Sequence, residues 1–213
     1  MATVVADMSM TLDGFVAGPQ DQVEHVFAWM HKGQHEVTAP GDDRTFTVDS
    51  ASAEHLDRAF RSVGALVCGR RLFDLTHGWS GKHPVGAPVY VVTHTAPDDW
   101  AYPEAPFTFV TDGVESAIRQ ASATAGDKVV AIASSTIAQQ CLDAGLLDVI
   151  HVSLVPVLLG GGIRFFDHLR TAPIELEDRP RVIEGIGVTH LEYTVRARSR
   201  PSDPSGASIS STT

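Results

Sequence analysis

The chain has 213 residues, 43% of them hydrophobic, with a formal net charge of −10. That length and apolar content suit a domain with a sizeable core, and the acidic balance argues against nucleic acid or an anionic membrane surface as partner, because both need clustered Lys and Arg. No apolar run is as long as a membrane span, and the N-terminus Met-Ala-Thr-Val-Val-Ala-Asp has neither a basic nor a long apolar region, so a cytoplasmic protein without a signal peptide is expected.

Thr3–Met8 predicts the first strand, followed by a polar, glycine-containing loop from Ser9 to about Gln22 and a short helix over Val23–His31. Asp21 and Glu24 read as charges at the start of that helix. Residues 33–47 are polar and predict loop. A helix follows from Ser50 to Val63, with Asp49 or Ser50 as N-cap and Glu54 in its first turn. The apolar run Ala65-Leu-Val-Cys68 stops at Gly69, which gives a strand and a turn, and Arg70–Thr76 opens the next helix. Pro88–Thr93 and Phe107–Thr111 are buried strands. Val114, Ala117, Ile118 and Ala121 recur at helical spacing, so an amphipathic helix ends at Gly126. Lys128–Ala133 is a strand, Thr136–Ala144 a helix capped by Ser134 or Ser135 and stopped by Gly145, and Asp148–Leu159 a long buried strand. Cys68 and Cys141 both sit in apolar surroundings, which points to two buried free thiols rather than a disulfide.

The last two predicted strands, Ile174–Glu184 and Val188–Ala197, flank the turn Gly185-Ile-Gly187. Leu191, Tyr193 and Val195 alternate with His190, Glu192 and Thr194, a period of two that indicates an antiparallel hairpin with one wetter face. Strand and helix alternate before it. The predicted class is therefore α/β: a mostly parallel central sheet flanked by helices, with an antiparallel C-terminal hairpin. Residues 1–198 read as one domain. Residues 199–213, rich in Ser, Pro, Gly, Asp and Thr without apolar periodicity, read as a disordered tail.

Four strand ends carry small or phosphate-compatible residues: Gly69-Arg70-Arg71, Thr93-His94, Ala133-Ser134-Ser135-Thr136 and Gly160-Gly161-Gly162. In open α/β sheets ligands bind beyond the carboxyl ends of the strands, where helix N-termini offer free N–H groups to a pyrophosphate. Arg70 and Arg71, at a strand-to-helix handover, are candidates to clamp a phosphate in bidentate fashion. The three glycines after Pro156-Val-Leu-Leu159 let the backbone approach a phosphate or another strand.

Five stretches taken together resemble the dihydrofolate-reductase-like family that includes the reductase domain of bifunctional riboflavin-biosynthesis deaminase–reductases. They are Ser9-Met-Thr-Leu-Asp-Gly-Phe-Val-Ala-Gly18, Val67-Cys-Gly-Arg-Arg-Leu-Phe73, Val89-Tyr-Val-Val-Thr-His94, Ile137-Ala-Gln-Gln-Cys-Leu-Asp-Ala-Gly-Leu-Leu-Asp148 and Pro156-Val-Leu-Leu-Gly-Gly-Gly-Ile-Arg-Phe-Phe166. No zinc-deaminase signature occurs, so the likeness is to stand-alone reductase members. The resemblance implies an NADPH-dependent reductase. By that pattern Gly69, Arg70 and Arg71 meet the pyrophosphate and 2′-phosphate region, with Thr93 and His94 near the 2′-phosphate. Ala133, Ser134, Ser135, Thr136 and Ile137 hold the pyrophosphate, and Gly160, Gly161 and Gly162 form a facing wall. Ala6, Val16, Ala17 and Gly18 flank the nicotinamide, and Asp13, the catalytic candidate, stands by the substrate. The chain departs from the family pattern at Ala133-Ser134, where Gly-Gly is usual, and at Asp148-Val149, where Asp-Glu is common.

Phe27 and Trp29 are candidates to stack on a flat heterocycle or to anchor the core. His31 and His35 stand four apart, but Gly33 lies between them and no carboxylate completes a zinc pattern, so solvent-facing histidines and no metal are expected. His77 and His83 bracket the loop Gly78-Trp-Ser-Gly81, read either as pocket wall or as surface. The expected activity is hydride transfer from NADPH to a small heterocyclic or C=N/C=O substrate. The alternatives are a non-catalytic nucleotide- or small-molecule-binding protein with a degraded cofactor site and, further, the 5-amino-6-(5-phosphoribosylamino)uracil reductase of riboflavin biosynthesis. The exposed edge of the C-terminal hairpin, together with the family resemblance, suggests a homodimer.

Overall fold

A computed structural model describes residues 2–196 of the chain; the predicted tail and the last residue of the predicted 188–197 strand lie outside them. The chain opens with β1 (Thr3–Thr11), β2 (Phe15–Ala17) and α1 (Glu24–Phe27), which tightens into a 3₁₀ turn over Ala28–His31. A hairpin of β3 (His35–Thr38) and β4 (Thr45–Val48) precedes α2 (Ser50–Ser62) and β5 (Val63–Gly69). Then come α3 (Arg70–Leu75), β6 (Val89–Val92), β7 (Phe107–Val110), α4 (Val114–Ala125), β8 (Val129–Ile132), α5 (Ser135–Ala144) and β9 (Val149–Val155). Short β10 (Ile163–Arg164) and the hairpin β11 (Arg181–Gly185) and β12 (Val188–Thr194) complete the set. No helix of the described residues is long and apolar enough to cross a membrane.

Eight strands form one sheet in the order β11-β12-β9-β1-β8-β5-β6-β7. Every pairing from β9 to β7 is parallel, and β12 and β11 are added antiparallel at one edge. The mostly parallel sheet with an antiparallel hairpin is the predicted class. Successive side chains of a strand point to opposite faces, and the core divides accordingly. Val4 and Ala6 of β1, Ala65 and Val67 of β5, Val130 and Ile132 of β8 and Ile150 and Val152 of β9 pack with α4 and α5 in one large cluster. The opposite face carries two separate clusters. One joins Trp29, Phe46, Val48 and Leu56 to Val155 and Val188; the other joins Phe73 to Leu66, Cys68, Val89, Val91 and Ala131. A sheet face covered in two patches leaves a gap between them, and the cleft described below occupies it.

Most local expectations hold. Asp49 is the N-cap of α2, accepting from Ala51 N–H at 3.0 Å and Ser52 N–H at 3.1 Å, and both cysteines are free and buried. Four expectations need correction. Residues 33–47 contain the hairpin β3–β4, in which Val37 and Phe46 pair and are buried; the period-two run Thr45-Phe-Thr-Val48 carried that signal within a polar segment. β1 runs three residues further than predicted, to Thr11, because β9 pairs with it along its whole second half. β9 stops at Val155, before Pro156, which has no N–H for a ladder. β11 covers only Arg181–Gly185, since Pro180 interrupts the predicted strand and only Leu176 upstream still bridges, to Val195.

Candidate active site

The cleft has a volume of about 1340 Å³ and runs across the carboxyl ends of the parallel strands, down between the two apolar patches. Its two halves differ in chemistry. One half is polar and built from strand ends: Gly69 and Arg70 after β5, Thr93, His94 and Thr95 after β6, Thr111 and Gly113 after β7, and Ala133 to Ile137 after β8. The other is aromatic, with Phe27, Trp29, Phe46, Phe60, Trp79 and His83 around a floor of Asp7, Ser9, His55 and Ser153.

In the polar half, α5 starts at Ser134, whose side chain caps none of the helix's own N–H groups. Its hydroxyl instead accepts from Gly69 N–H at 2.9 Å. Ser134 therefore ties the ends of β5 and β8 together and leaves the first-turn N–H groups of α5 facing the cleft, the arrangement that attracts an anion. Both arginines are engaged. Arg70 holds Asp74 at 2.7 Å and the Thr95 carbonyl at 2.9 Å, while Arg71 holds Asp21 through two nitrogens, the shortest contact being 2.7 Å. Arg70 thereby stands beside Thr93 and His94, and Arg71 turns toward the opposite lip of the cleft.

Of the other expected cofactor residues, Ala17 lines the cleft, whereas Ala6 is fully buried beneath it. Gly18 and the glycine run stand outside the lining. Gly162 is there for a strand contact: at φ 138°, a Cβ on it would fall 2.1 Å from the Ala17 carbonyl oxygen, and its neighbour Ile163 pairs with Ala17. Gly160 and Gly161 face open space. The end of the run therefore docks β10 on β2, and Gly160 and Gly161 stand outside the cleft lining. Asp13 is also outside the cleft. Its carboxylate accepts from Thr11 Oγ1 at 2.6 Å, Leu159 N–H at 3.2 Å and Gly160 N–H at 2.8 Å, and the Thr11 bond is the first of the contacts that hold its pKa down. It clips two loops together and does not reach the cleft. Phe27 is exposed at the cleft, but Trp29 is 2% exposed, with its indole N–H on Ser9 Oγ at 3.0 Å and its ring edge-on to His190. Trp29 shapes the cleft and offers no face for stacking.

The loop between His77 and Gly81 is pocket wall rather than plain surface. Five consecutive residues there have positive φ, among them Trp79 at 49° and Ser80 at 51°. A left-handed turn in non-glycine residues is costly, and it presents Trp79 to the cleft, edge-on to His83. His31 and His35 are solvent-exposed, as expected, and so is His25.

A group of polar residues that the sequence reading passed over lies on the cleft floor. Register brings it together: Asp7 of β1 pairs with His151 of β9, which pairs with Glu192 of β12, and one step along Ser9, Ser153 and His190 form a second row. His55 of α2 covers them, stacked on His190 at 4.2 Å and tilted against His151 at 4.5 Å. His151 Nδ1 lies 3.0 Å from Asp7 Oδ1. Arg58 donates to His55 Nδ1 at 3.2 Å. Ser52 donates to the Asp49 carboxylate at 2.8 Å, so its oxygen accepts the Nε2–H of His190 at 3.1 Å, and Ser153 donates to His190 Nδ1 at 2.9 Å.

These contacts set the charges. Burial pushes the His55 pKa down to about 3 and that of His190 to about 4, reinforced by His151. Burial also opposes charge on His151, but the Asp7 carboxylate outweighs it and raises the His151 pKa above its ordinary value. Asp7 is raised by burial and lowered further by His151, with a net downward shift. The floor thus favours charge on one pair, Asp7 with His151, beside two imidazoles held neutral by burial. The signal for it was polar residues every second position in buried strands: Asp7, Ser9 and Thr11 in β1, His151 and Ser153 in β9, His190 and Glu192 in β12.

The comparisons agree with this architecture. A crystal structure of a protein from Shewanella sp. PV-4 provisionally assigned to riboflavin biosynthesis superposes with a TM-score of 0.67 at 22% identity, covering 92% of this chain and 99% of the other. The Thermotoga maritima diaminohydroxyphosphoribosylaminopyrimidine deaminase/5-amino-6-(5-phosphoribosylamino)uracil reductase gives 0.59 at 15% identity, with 92% of this chain matching 57% of that one. Enterococcus faecalis dihydrofolate reductase, complexed with NADP(H) and RAB-propyl, gives 0.52 at 12% identity over 91% and 96% of the two chains. At these identities the likeness establishes the fold. No curated protein matches the sequence. The family model of the RibD C-terminal domain matches residues 2–184, nearly the whole described chain. The chain therefore belongs to the RibD C-terminal domain family, the reductase family that its motifs resemble.

Proposed function

We propose that the protein is an NADPH-dependent oxidoreductase that reduces a small heterocyclic or C=N/C=O substrate. The observation that carries this reading is the two-part cleft: a phosphate-compatible half built from strand ends, continuous with an aromatic half. Its volume exceeds that of a typical small-ligand pocket, roughly 300–1,000 Å³, and leaves room for a dinucleotide and a second molecule. The donor set suits that cofactor. The first-turn N–H groups of α5 from Ser135, Thr136 and Ile137 would hold the pyrophosphate, and Arg70, Thr93 and His94 the 2′-phosphate. Ala17 would border the nicotinamide, and Phe27 and Trp79 the substrate. When bound, NADPH supplies the hydride; the chain supplies orientation and exclusion of water. Relatives support the choice: the Enterococcus enzyme was solved with NADP(H), and the Thermotoga protein is named a uracil-derivative reductase.

The test is titration with NADPH and NADH, followed by nicotinamide fluorescence, and then NADPH consumption with 5-amino-6-(5-phosphoribosylamino)uracil. Tight NADPH binding with turnover assigns the riboflavin step; binding without turnover leaves the reductase reading with another substrate. Absence of binding by either nucleotide at millimolar concentration refutes it and favours a non-catalytic binding protein. Arg70→Ala is expected to weaken NADPH at least tenfold, about 1.4 kcal/mol, and to leave NADH nearly unchanged. We also read β11 as a dimer edge, since it ends the sheet and exposes Val182, with Ile186 exposed in the turn that follows it; light scattering on the purified protein decides that.

A further inference from the structure

Resting on the reductase reading, we propose that Asp7 and His151 are the proton donor of the reaction and that the substrate is a flat acceptor whose reducible C=N nitrogen faces Asp7. Asp7 is the catalytic residue, and His151 positions and recharges it.

The geometry is that of a donor held ready at the floor of the cleft. Asp7 Oδ1 meets His151 Nδ1 at 3.0 Å, and 39% of the Asp7 side chain remains accessible while His151 is 7% accessible. Asp7 lines the aromatic half of the cleft, and its Oδ2 has no hydrogen-bond partner among the described residues. One oxygen is thus tied to the imidazole, and the partly exposed carboxylate borders the cleft where an acceptor would lie.

The surrounding groups restrict the extra proton to His151. His55 and Arg58 approach from α2, His190 and Glu192 from β12, and Asp49 from the N-terminus of α2. The bonds from Arg58 and Ser153 occupy Nδ1 of His55 and of His190, so neither neutral ring offers that nitrogen to a proton. The same bonds argue against a metal. The ring nitrogens of His55, His151 and His190 come within 4.8 Å of one another, but the stacked planes of His55 and His190, only 21° apart, keep their lone pairs side by side rather than convergent.

Reduction of C=N adds two electrons and a hydrogen at carbon, as hydride, and one proton at nitrogen. The Nδ1 proton of His151 passes to Asp7 Oδ1 across the 3.0 Å contact, the carboxylic acid so formed turns about its Cβ–Cγ bond to present that O–H, and the nitrogen's new electron pair takes the proton. The pair is left as the Asp7 carboxylate and a neutral Nε2–H imidazole, which recovers its proton from solvent. Because Asp7 raises the pKa of His151, the donor stays loaded to higher pH than on a free imidazole and is lost as pH rises through the folded-state value.

The test uses the full chain in two arms. Histidine NMR titration, with and without NADPH, is expected to show His151 titrating above 6.5 in the wild type and below it in Asp7→Asn, with recovery in Asp7→Glu. A His151 that titrates the same way with and without the carboxylate overturns the proposal. In the second arm the hydride acceptors are 3,4-dihydroisoquinoline and its N-methyl quaternary salt, which needs no proton. Asp7→Asn should lower kcat for the first by about a hundredfold, the scale of general acid catalysis, abolish the alkaline limb of its pH profile, and leave kcat for the second within threefold. Equal loss on both acceptors, or loss on neither, refutes the donor role. If the wild type binds NADPH but reduces neither compound, the C=N assignment fails. If NADPH does not bind at all, the reductase reading fails instead, and the NMR arm decides the ion pair on its own.

Discussion

Acidification is expected to destabilise this protein well before its carboxylates titrate. His55 and His190 have folded pKa values of about 3 and about 4 against an ordinary 6.5. A base with a depressed folded pKa contributes stability that is complete above 6.5 and is lost as pH falls toward the folded value, because only the unfolded chain takes the proton. At pH 5 each ring costs about 2 kcal/mol relative to pH 7, from 1.36 kcal/mol for each of the roughly 1.5 pH units traversed. Two rings cost about 4 kcal/mol, a large share of the roughly 5–15 kcal/mol that holds a domain together. Half-buried His83, lowered to about 4 by burial, acts with the same sign. Asp7 is silent in this window because its pKa lies below the ordinary 3.8, and His151, raised above 6.5, opposes only above that value. Urea unfolding followed by tryptophan fluorescence at pH 7 and pH 5, at fixed ionic strength, should show the loss. His55→Gln should shrink the difference by about 2 kcal/mol, whatever its absolute stability. A wild type whose stability changes by less than about 1 kcal/mol, or a His55→Gln variant with an undiminished difference, refutes neutral burial of these rings.

Other outcomes follow from single contacts. Ser134→Ala removes the acceptor for the buried Gly69 N–H and should cost about 1–3 kcal/mol in calorimetry. Gly162→Ala puts a methyl 2.1 Å from the Ala17 carbonyl oxygen and should lower Tm by many degrees, whereas Gly161→Ala, with nothing within 4 Å, should leave it nearly unchanged. Asp13→Asn weakens a clip between two loops; limited proteolysis should reveal faster cutting near residues 157–161, with NADPH affinity unchanged within twofold.

Local signals in the chain were enough for the class of fold. Helical spacing in Val114–Ala121 up to the stop at Gly126, the Asp49 cap, and the apolar run ending in Gly69 depend on neighbours a few residues apart, and those neighbours are visible in one dimension. The strand-end residues Arg70, Thr93 and Ser134 were legible for the same reason, because the carboxyl end of a parallel strand is a fixed place in such sheets. The glycine run announces a close backbone approach, but only the folded chain shows that Gly162 meets Ala17. The partners of Asp13 were invisible for the same reason: Leu159 and Gly160 are nearly 150 residues away.

The cleft floor belongs wholly to tertiary structure. Asp7, His55, His151 and His190 lie on three strands and a helix, and no local spacing links them. Sheet order set β1 beside β9 and β9 beside β12, and register then aligned Asp7 with His151 and Ser153 with His190. Sequence by itself determined which residues are strand, helix and strand end. Which charges share a buried site, and so which residue could give up a proton, was decided only when distant strands paired, because the energy of a buried charge depends on its neighbours in space.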